Sequence, residues 1–207
     1  MWDARSGQHL LTLKGESNWI TTITFSPDGQ RLATASGVTL SPEGRQPGTT
    51  SGVPVTKIWD ARTGRNLFAL EGYSGFNAHV AFSPDHRQLA TASWDQTAKI
   101  WDARTGRSLL TLKGHNDRVS SVAFSPDSRR LATASEDRTV KLWDTRTGRE
   151  LLTLRNPGQR LLTVVFSPDG RQLASAGDDG YVVIWDTTPL HPERLVMRPS
   201  GSDRHIK

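Results

Sequence analysis

Three residue types that can together perform nucleophilic catalysis occur in the middle of this 207-residue chain. His115 is followed by two hydroxyl residues, Thr133 and Ser135, and then by Asp137. In a Ser-His-Asp site the imidazole takes the hydroxyl proton while the carboxylate orients the ring. Such a site also needs an accessible hydroxyl and an oxyanion hole about 3 Å from the reacting atom. The elements that position these residues decide whether they can act in this way.

Other chemistries find less support in the sequence. The chain has no cysteine, so it has neither disulfides nor thiolate metal ligands. No glycine-rich loop matches a phosphate-binding pattern. We therefore expect no metal and no cofactor, because the remaining histidines also lack the spacing of a metal site. These are His9, His79, His86, His191 and His205.

Two short motifs recur along the chain and organise it. Phe-Ser-Pro-Asp begins at Phe25, Phe82, Phe124 and Phe166, and Trp-Asp begins at Trp2, Trp59, Trp101, Trp143 and Trp185. The last three intervals between Trp-Asp pairs are 42 residues, whereas the first is 57. A fixed period of this length indicates a repeated supersecondary unit, and the long interval indicates that one copy has been remodelled.

The most regular copy, residues 114–155, predicts four short strands. Val119 to Phe124 mixes β-branched and small residues and ends in turn residues, and Arg130 to Ser135 follows as a second strand. Thr139 to Trp143 alternates apolar and polar residues, and Glu150 to Leu154 is the fourth strand. The copy has no helical periodicity. Four antiparallel strands per repeat predict an all-β propeller of about four blades.

These motifs resemble the WD-repeat family of β-propellers over about residues 2–186. The resemblance depends on Gly114-His115, the Phe-Ser-Pro-Asp turn, Leu131 to Ser135, Asp137 and Lys141 to Asp144. The amino-acid sequences of the repeats are similar to those of bacterial members of the family. In this family the matching residues form a structural hydrogen-bond chain, so the resemblance implies that Asp137 holds His115, which reaches Thr133 and then Trp143. Ser135 is the weaker alternative to Thr133. We therefore expect no catalytic residues and no enzyme activity.

The hydrogen-bond chain is complete in one copy only. The Gly-His position reads Gly15-Glu16, Gly72-Tyr73 and Asn156-Pro157 in the others. Asp95 and Asp179 preserve the turn aspartate, but the first copy has lost it.

The repeats divide the chain into blades. Residues 1–14 are expected to be a strand of a shared or closing blade, and residues 198–207 a flexible tail. The blades are expected at residues 15–71, 72–113, 114–155 and 156–197, the last with an atypical fourth strand. Residues 37–56 hold the 15 extra residues of the first blade, rich in glycine, proline and hydroxyl residues. Such a composition predicts a mobile loop, either a tolerated insertion or a partner-binding arm.

One face of the predicted propeller has residue types that are common at interaction hot spots. Trp19, Phe76, Arg118 and Arg160 share one repeat position at the start of the first strands, and Trp94 lies in a second-to-third-strand turn on the same face. The family resemblance places the usual peptide- or protein-binding surface there. The alternative is that these side chains only cover neighbouring loops.

The opposite face is expected to present a ring of arginines from the turns between the third and fourth strands. Its members are Arg5, Arg62, Arg65, Arg104, Arg107, Arg146 and Arg149. The formal charge of +5 is spread with the repeat, which disfavours nucleic acid as a partner. We interpret this ring as a solvated surface with aspartates nearby.

The expected function is a non-catalytic scaffold that binds a protein or peptide. The alternatives are a regulatory or sensor module of a larger signalling protein with a kinase or ATPase effector and, with less support, a propeller enzyme or a nucleic-acid binder. No apolar run approaches the roughly 18 residues of a membrane span. There is also no signal-peptide pattern, so a cytoplasmic location without membrane association is expected.

The number of blades raises a separate question. Four blades are fewer than the about six to eight that the resemblance implies. The chain could be part of a larger propeller, a strained ring of four blades, or half of a ring that two chains complete by self-association. The first and third outcomes are favoured. The strand Gln8 to Leu13 could complete the last blade, or residues 193–197 could supply a substitute strand.

Overall fold

The computed structural model describes residues 5–13, 19–37 and 55–188. Within these ranges the regular structure is entirely β, in four separate antiparallel sheets that each form one blade. The described part of the chain contains no helix long and apolar enough to cross a membrane. The prediction of an all-β chain of about four blades is therefore confirmed.

The first two blades have four strands each, in chain order. The first blade consists of β1 (Trp19–Phe25), β2 (Arg31–Gly37), β3 (Thr56–Asp60) and β4 (Asn66–Leu70). The second blade consists of β5 (Asn77–Phe82), β6 (Gln88–Ser93), β7 (Ala98–Asp102) and β8 (Ser108–Leu112).

The third blade has four strands and the fourth blade has three among the described residues. The third consists of β9 (Val119–Phe124), β10 (Arg130–Ser135), β11 (Thr139–Asp144) and β12 (Glu150–Arg155). The fourth consists of β13 (Leu161–Phe166), β14 (Gln172–Gly177) and β15 (Val182–Asp186). The four strands predicted for residues 114–155 are confirmed to within one residue.

The Phe-Ser-Pro-Asp turn explains why the first strand of each blade ends where it does. In the third blade the Ser125 hydroxyl is buried and donates to Asp127 Oδ1 at 2.5 Å. The same hydroxyl oxygen accepts the Arg130 amide at 2.9 Å, and Asp127 Oδ1 accepts the Arg129 amide at 3.0 Å. These bonds satisfy the backbone of the turn locally, so that β10 can begin at once.

The hydrophobic core lies between the blades. Each of three clusters joins one blade to the next, and equivalent residues recur in each. Between the first and second blades, Ile58 packs with Val80; between the second and third, Ile100 packs with Val122. Strand β11 is buried on both faces, because one face packs on each neighbouring blade.

The N-terminal segment lies against the first blade and does not join the sheet of the fourth. A Cβ placed on Gly64 would meet Leu11 Cδ2 at 2.7 Å, so this leucine packs directly on the turn between β3 and β4. Among the described residues the sheet of the fourth blade contains β13, β14 and β15, and Gln8 to Leu13 are not paired with it. The blade that this segment completes stays a prediction. The substitute strand at residues 193–197 lies outside the described residues.

The insertion of the first blade begins and ends at neighbouring positions. The Ser36 hydroxyl donates to the Val55 carbonyl at 2.8 Å, and the Ser36 amide donates to the same oxygen at 3.2 Å. The residues between β2 and β3 from 38 to 54 lie outside the described part of the chain, as do the tail residues 198–207.

Candidate functional site

The His-Asp-Thr constellation forms a closed hydrogen-bond network in the third blade. His115 Nδ1 lies 2.8 Å from Asp137 Oδ2, and His115 Nε2 lies 2.7 Å from Thr133 Oγ1. Trp143 Nε1 donates to the same threonine oxygen at 2.9 Å. Ser135 instead donates to the Asp117 carbonyl. The network links the loop before β9 with β10, β11 and the turn between them.

Every lone pair of the Asp137 carboxylate has a donor nearby. It accepts the Asn116 amide at 2.9 Å, the Thr139 amide at 2.9 Å and the Thr139 hydroxyl at 2.6 Å, in addition to His115. Burial alone raises the pKa of Asp137, but the hydrogen bonds from His115, Thr139 and Asn116 outweigh it and hold the pKa well below its usual range. The carboxylate is thus ionised and fully satisfied.

This geometry is unsuited to catalysis. The side chain of His115 is 2% exposed and Thr133 is fully buried. The Thr133 oxygen is already shared between His115 and Trp143. A substrate would have to displace these partners, and each buried group left without one would cost about 1–3 kcal/mol.

The other blades keep part of the same network. The Trp-Asp tryptophan donates to a strand hydroxyl in each: Trp59 to Thr34, Trp101 to Thr91 and Trp185 to Ser175, all at 2.9 Å. In the second blade the buried Tyr73 takes the place of histidine, and its hydroxyl bonds to Thr91.

The tyrosine does not rebuild the whole chain. Asp95 binds the Ser74 backbone and Thr97, and no bond joins it to Tyr73 among the described contacts. Sequence reasoning did not predict the tyrosine bond, although Tyr73 follows Gly72 where His115 follows Gly114.

A second constellation lies at the ends of the strands, and we call it the loop-face row. Its members stand in pairs, one pair to a blade, where the first strand begins and the second strand ends. They are Phe76 and Trp94, Arg118 and Glu136, and Arg160 and Asp178, each pair 42 residues after the one before. Within a blade the pair is fixed by a backbone bond, from the Trp94 amide to the Phe76 carbonyl and from the Glu136 amide to the Arg118 carbonyl, both at 2.9 Å.

Side chains connect the row from blade to blade. The rings of Phe76 and Trp94 stack with centroids 4.4 Å apart and planes at 27°. Arg118 Cζ lies 4.2 Å from the centre of the Trp94 ring. On its other side, Arg118 Nη1 lies 3.9 Å from Glu136 Oε1. The row is therefore continuous from the second blade to the third.

The charged half of the row continues into the fourth blade. Arg160 Nη1 lies 3.4 Å from Glu136 Oε2, and its Nε lies 2.5 Å from Asp178 Oδ2. The arginines remain accessible, since 47% of the Arg118 side chain and 55% of the Arg160 side chain are exposed. Phe76 and Trp94 are half-buried.

The row includes four of the five residues named from the sequence and two that sequence reasoning missed. Phe76, Trp94, Arg118 and Arg160 lie together, and the side chain of Trp19 lies outside the described residues. Glu136 and Asp178 were missed, although they occupy the repeat position of Trp94 and the 42-residue period could have found them. Within the described residues, no group of three or more metal-ligating side chains is clustered.

On the opposite face, the turn aspartates bind backbone instead of arginine side chains. Asp60 Oδ1 accepts the Thr63 amide and the Thr63 hydroxyl, each at 2.7 Å. Asp102 and Asp144 repeat this arrangement. Hydrogen bonds from the turn threonines and, to a smaller extent, the charges of Arg62, Arg104 and Arg146 lower the pKa of these aspartates. The interpretation of the ring as a solvated surface with aspartates nearby stays a prediction.

Comparison with known families agrees with this architecture. The family model described as "WD domain, G-beta repeat" matches residues 7–37, 64–102, 106–144 and 148–186. The chain therefore belongs to the WD-repeat family, whose members are propellers that commonly serve as protein-interaction scaffolds.

Solved structures share the fold. The chain aligns with one titled "Structure of U3-55K" at a TM-score of 0.72 and 24% sequence identity, over 84% of this chain. It spans 50% of that chain's length. No curated protein matches the sequence.

Proposed function

We propose that this chain is a non-catalytic scaffold that binds a protein or peptide along the loop-face row. The observation that carries the proposal is the exposed guanidinium of Arg118, which lies on Trp94 and faces Glu136. Aromatic and arginine side chains held in place by their neighbours are the residue types that contribute most to binding energy. Because the row is already ordered, a partner would lose little of its binding energy to ordering the row.

The row also favours one class of partner. An extended peptide could lie across the three blades, with an apolar side chain against Phe76 and Trp94 and a carboxylate at the arginines. That carboxylate would compete with Glu136 and Asp178 for Arg118 and Arg160, which gives the site selectivity as well as attraction. The buried His-Asp-Thr network supports the non-catalytic part of the proposal, since its hydroxyl is not accessible.

Selection from a random peptide phage library, followed by calorimetry, tests this function. We expect the Phe76→Ala/Trp94→Ala and Arg118→Ala/Arg160→Ala variants each to weaken selected peptides by about tenfold or more. The matched control is Arg104→Ala/Arg146→Ala, which removes the same two charges from exposed turns of the opposite face. Peptides that bind all variants equally, or that lose affinity only in the control, would refute the loop-face site.

Four further statements are proposals of the same kind. A bacterial source, which rests on the similarity of the repeats to bacterial members, is the first, and a cytoplasmic location is the second. A regulatory role in a larger signalling protein is the alternative function. Self-association is the fourth, and it involves a surface different from the loop face.

A further inference from the structure

The three interfaces between blades define what each blade face packs against. On the face toward the following blade, the third strand contributes Ile58, Ile100 and Leu142, which are at most 3% exposed. On the face toward the preceding blade, the first strand contributes Val80, Val122 and Val164, each 1% exposed. In the first two interfaces an isoleucine of the third strand meets a valine of the first strand. In the third interface Leu142 takes the place of the isoleucine.

The same two positions are exposed at the two ends of the blade series. Ile184 of the fourth blade, equivalent to Leu142, is 64% exposed, and Ile23 of the first blade, equivalent to Val164, is 61% exposed. Val182 and Ile20 accompany them and are also exposed. We call these the trailing end face, formed by Val182 and Ile184, and the leading end face, formed by Ile20 and Ile23.

We propose that the trailing end face of one copy packs on the leading end face of a second copy, so that two chains form one closed propeller ring. The two faces correspond to the two sides of the interface between blades, which occurs three times within the chain. Each is apolar, at positions that are buried in every internal blade. Rotation by 180° relates the two copies, so both contacts are the same and the ring closes.

The N-terminal segment supports a second copy as the occupant. Leu11 and Leu13 pack on Gly64 as Leu110 and Leu112 pack on Gly148. They therefore lie where the fourth strand of a preceding blade would lie. The fourth blade has three strands among the described residues and would gain its fourth strand from the second copy.

The repeat predicts the register of that strand. In the third blade, Val140 pairs with Leu154 and Lys141 with Thr153. The equivalent pairs between copies are Val182 with Leu13 and Val183 with Thr12. When this strand of one copy pairs with the exposed edge of β15 in the other copy, it also supplies hydrogen-bond partners for the backbone of β15.

A polar contact is available in the same interface. Arg31 donates to the Ala103 carbonyl of the next blade at 2.5 Å, and Gln88 Nε2 donates to the Thr145 carbonyl at 3.4 Å. Gln172 occupies the same repeat position in the fourth blade and is exposed. In the ring it would donate to the Ala61 carbonyl of the second copy.

The inference gives the proposed self-association its two surfaces. It does not depend on the loop-face row, so failure of either experiment leaves the other result intact.

Light scattering coupled to size-exclusion chromatography tests the stoichiometry. We expect the 207-residue chain at 100 μM to elute at twice the mass of the 22.8 kDa monomer. Ile23→Glu and Ile184→Glu should each give a monomer, and both should fold because these side chains are exposed in a single copy. Leu109→Glu, at an exposed site on β8 away from both ends, should remain a dimer.

Mixing the two monomeric variants tests the pairing of unlike faces. Ile23→Glu retains a good trailing face and Ile184→Glu retains a good leading face, so the mixture should form a dimer through one contact. A monomeric wild type, a dimer that survives either substitution, or a mixture that stays monomeric would each overturn the proposal.

A disulfide tests the register in this cysteine-free chain. The Thr12→Cys/Val183→Cys variant should form a covalent dimer on mild oxidation, because directly paired residues bring their Cβ atoms within about 5.5 Å. Thr12→Cys/Val165→Cys, whose second site is on β13, should not. Equal cross-linking of both variants would overturn the register.

Discussion

The guanidinium of Arg118 lies over the ring of Trp94, 4.2 Å from its centre, although the two residues belong to different blades. At this boundary a side chain from the end of the second strand of one blade contacts a side chain from the start of the first strand of the next blade. The Arg160 and Glu136 pair repeats this relationship one blade later with an ion pair of 3.4 Å. The loop-face row is thus a property of adjacent blades and cannot be formed by one blade alone.

The contact between Trp94 and Arg118 should stabilise the fold measurably. A double-mutant cycle with Trp94→Ala and Arg118→Ala is expected to give a coupling free energy of about 0.5–1 kcal/mol, as for exposed cation–π pairs. Urea unfolding measures it. The control cycle pairs Trp94→Ala with Arg160→Ala and should give a coupling near zero, since Arg160 contacts Glu136 and Asp178 instead. Equal coupling in both cycles would contradict the structure.

Loss of the His115 imidazole should reduce stability but spare binding. We expect His115→Ala to lower the free energy of unfolding by about 1–3 kcal/mol, because Asp137 and Thr133 lose a buried partner. Thermal denaturation measures the loss. His115→Tyr is the matched variant, since Tyr73 bonds to Thr91 in the second blade, and it should recover part of the stability. A stable His115→Ala variant that has lost peptide binding would contradict this structural role.

Asp137 should make part of the stability dependent on acid pH. Its folded-state pKa lies below the ordinary value of 3.8, so its contribution is present above that value and is lost as the pH falls toward the folded pKa. Asp137→Asn removes the contribution. The difference between wild type and variant in the free energy of unfolding should therefore shrink between pH 7 and pH 3, as urea titrations can show. A constant difference would rule out this linkage.

His79 should also make the free energy of unfolding decrease as the pH falls, but in a higher pH range than Asp137. Desolvation lowers its pKa although a bond to the Val122 backbone opposes this, and His79 Nδ1 has no partner among the described residues. The unfolded state binds a proton near the ordinary value of 6.5, so stability falls as the pH falls through that value.

A substitution taken from the repeat tests the His79 effect. His79→Thr copies Thr163, the residue at this position in the fourth blade. The midpoint of urea unfolding of the His79→Thr variant should decrease less than that of the wild type between pH 8 and pH 5. Parallel declines would show that His79 does not contribute.

The sequence predicted most of the fold because its turns are marked by specific residues. Phe-Ser-Pro-Asp ends each first strand, and the Ser125 and Asp127 bonds show why it does so. The blade that Gln8 to Leu13 completes was left open by the sequence for a different reason. A fourth strand has the same pattern whichever blade it borders, so the sequence alone cannot tell its own last blade from another neighbour.

The candidate site was less predictable than the fold. Trp94 and Arg118 were chosen by residue type, and type alone does not identify Glu136 or Asp178, which are common on surfaces. Their role follows from contacts across a blade boundary. The hydrogen bonds that Asp60 accepts from its turn were not predicted either, because a residue type does not reveal a bond to the local backbone.

The closure between Ser36 and Val55 has a consequence for how this chain can diverge. The Val55 carbonyl accepts two bonds from Ser36 and so holds both ends of the inserted segment together. The length of the segment can therefore change without disturbing the packing of the first blade. In general, doubling the length of a loop costs only about 0.6 kcal/mol in closure entropy. The blade can therefore exchange or extend this segment at little thermodynamic cost, which makes it a natural point for grafting new sequence onto a fixed frame.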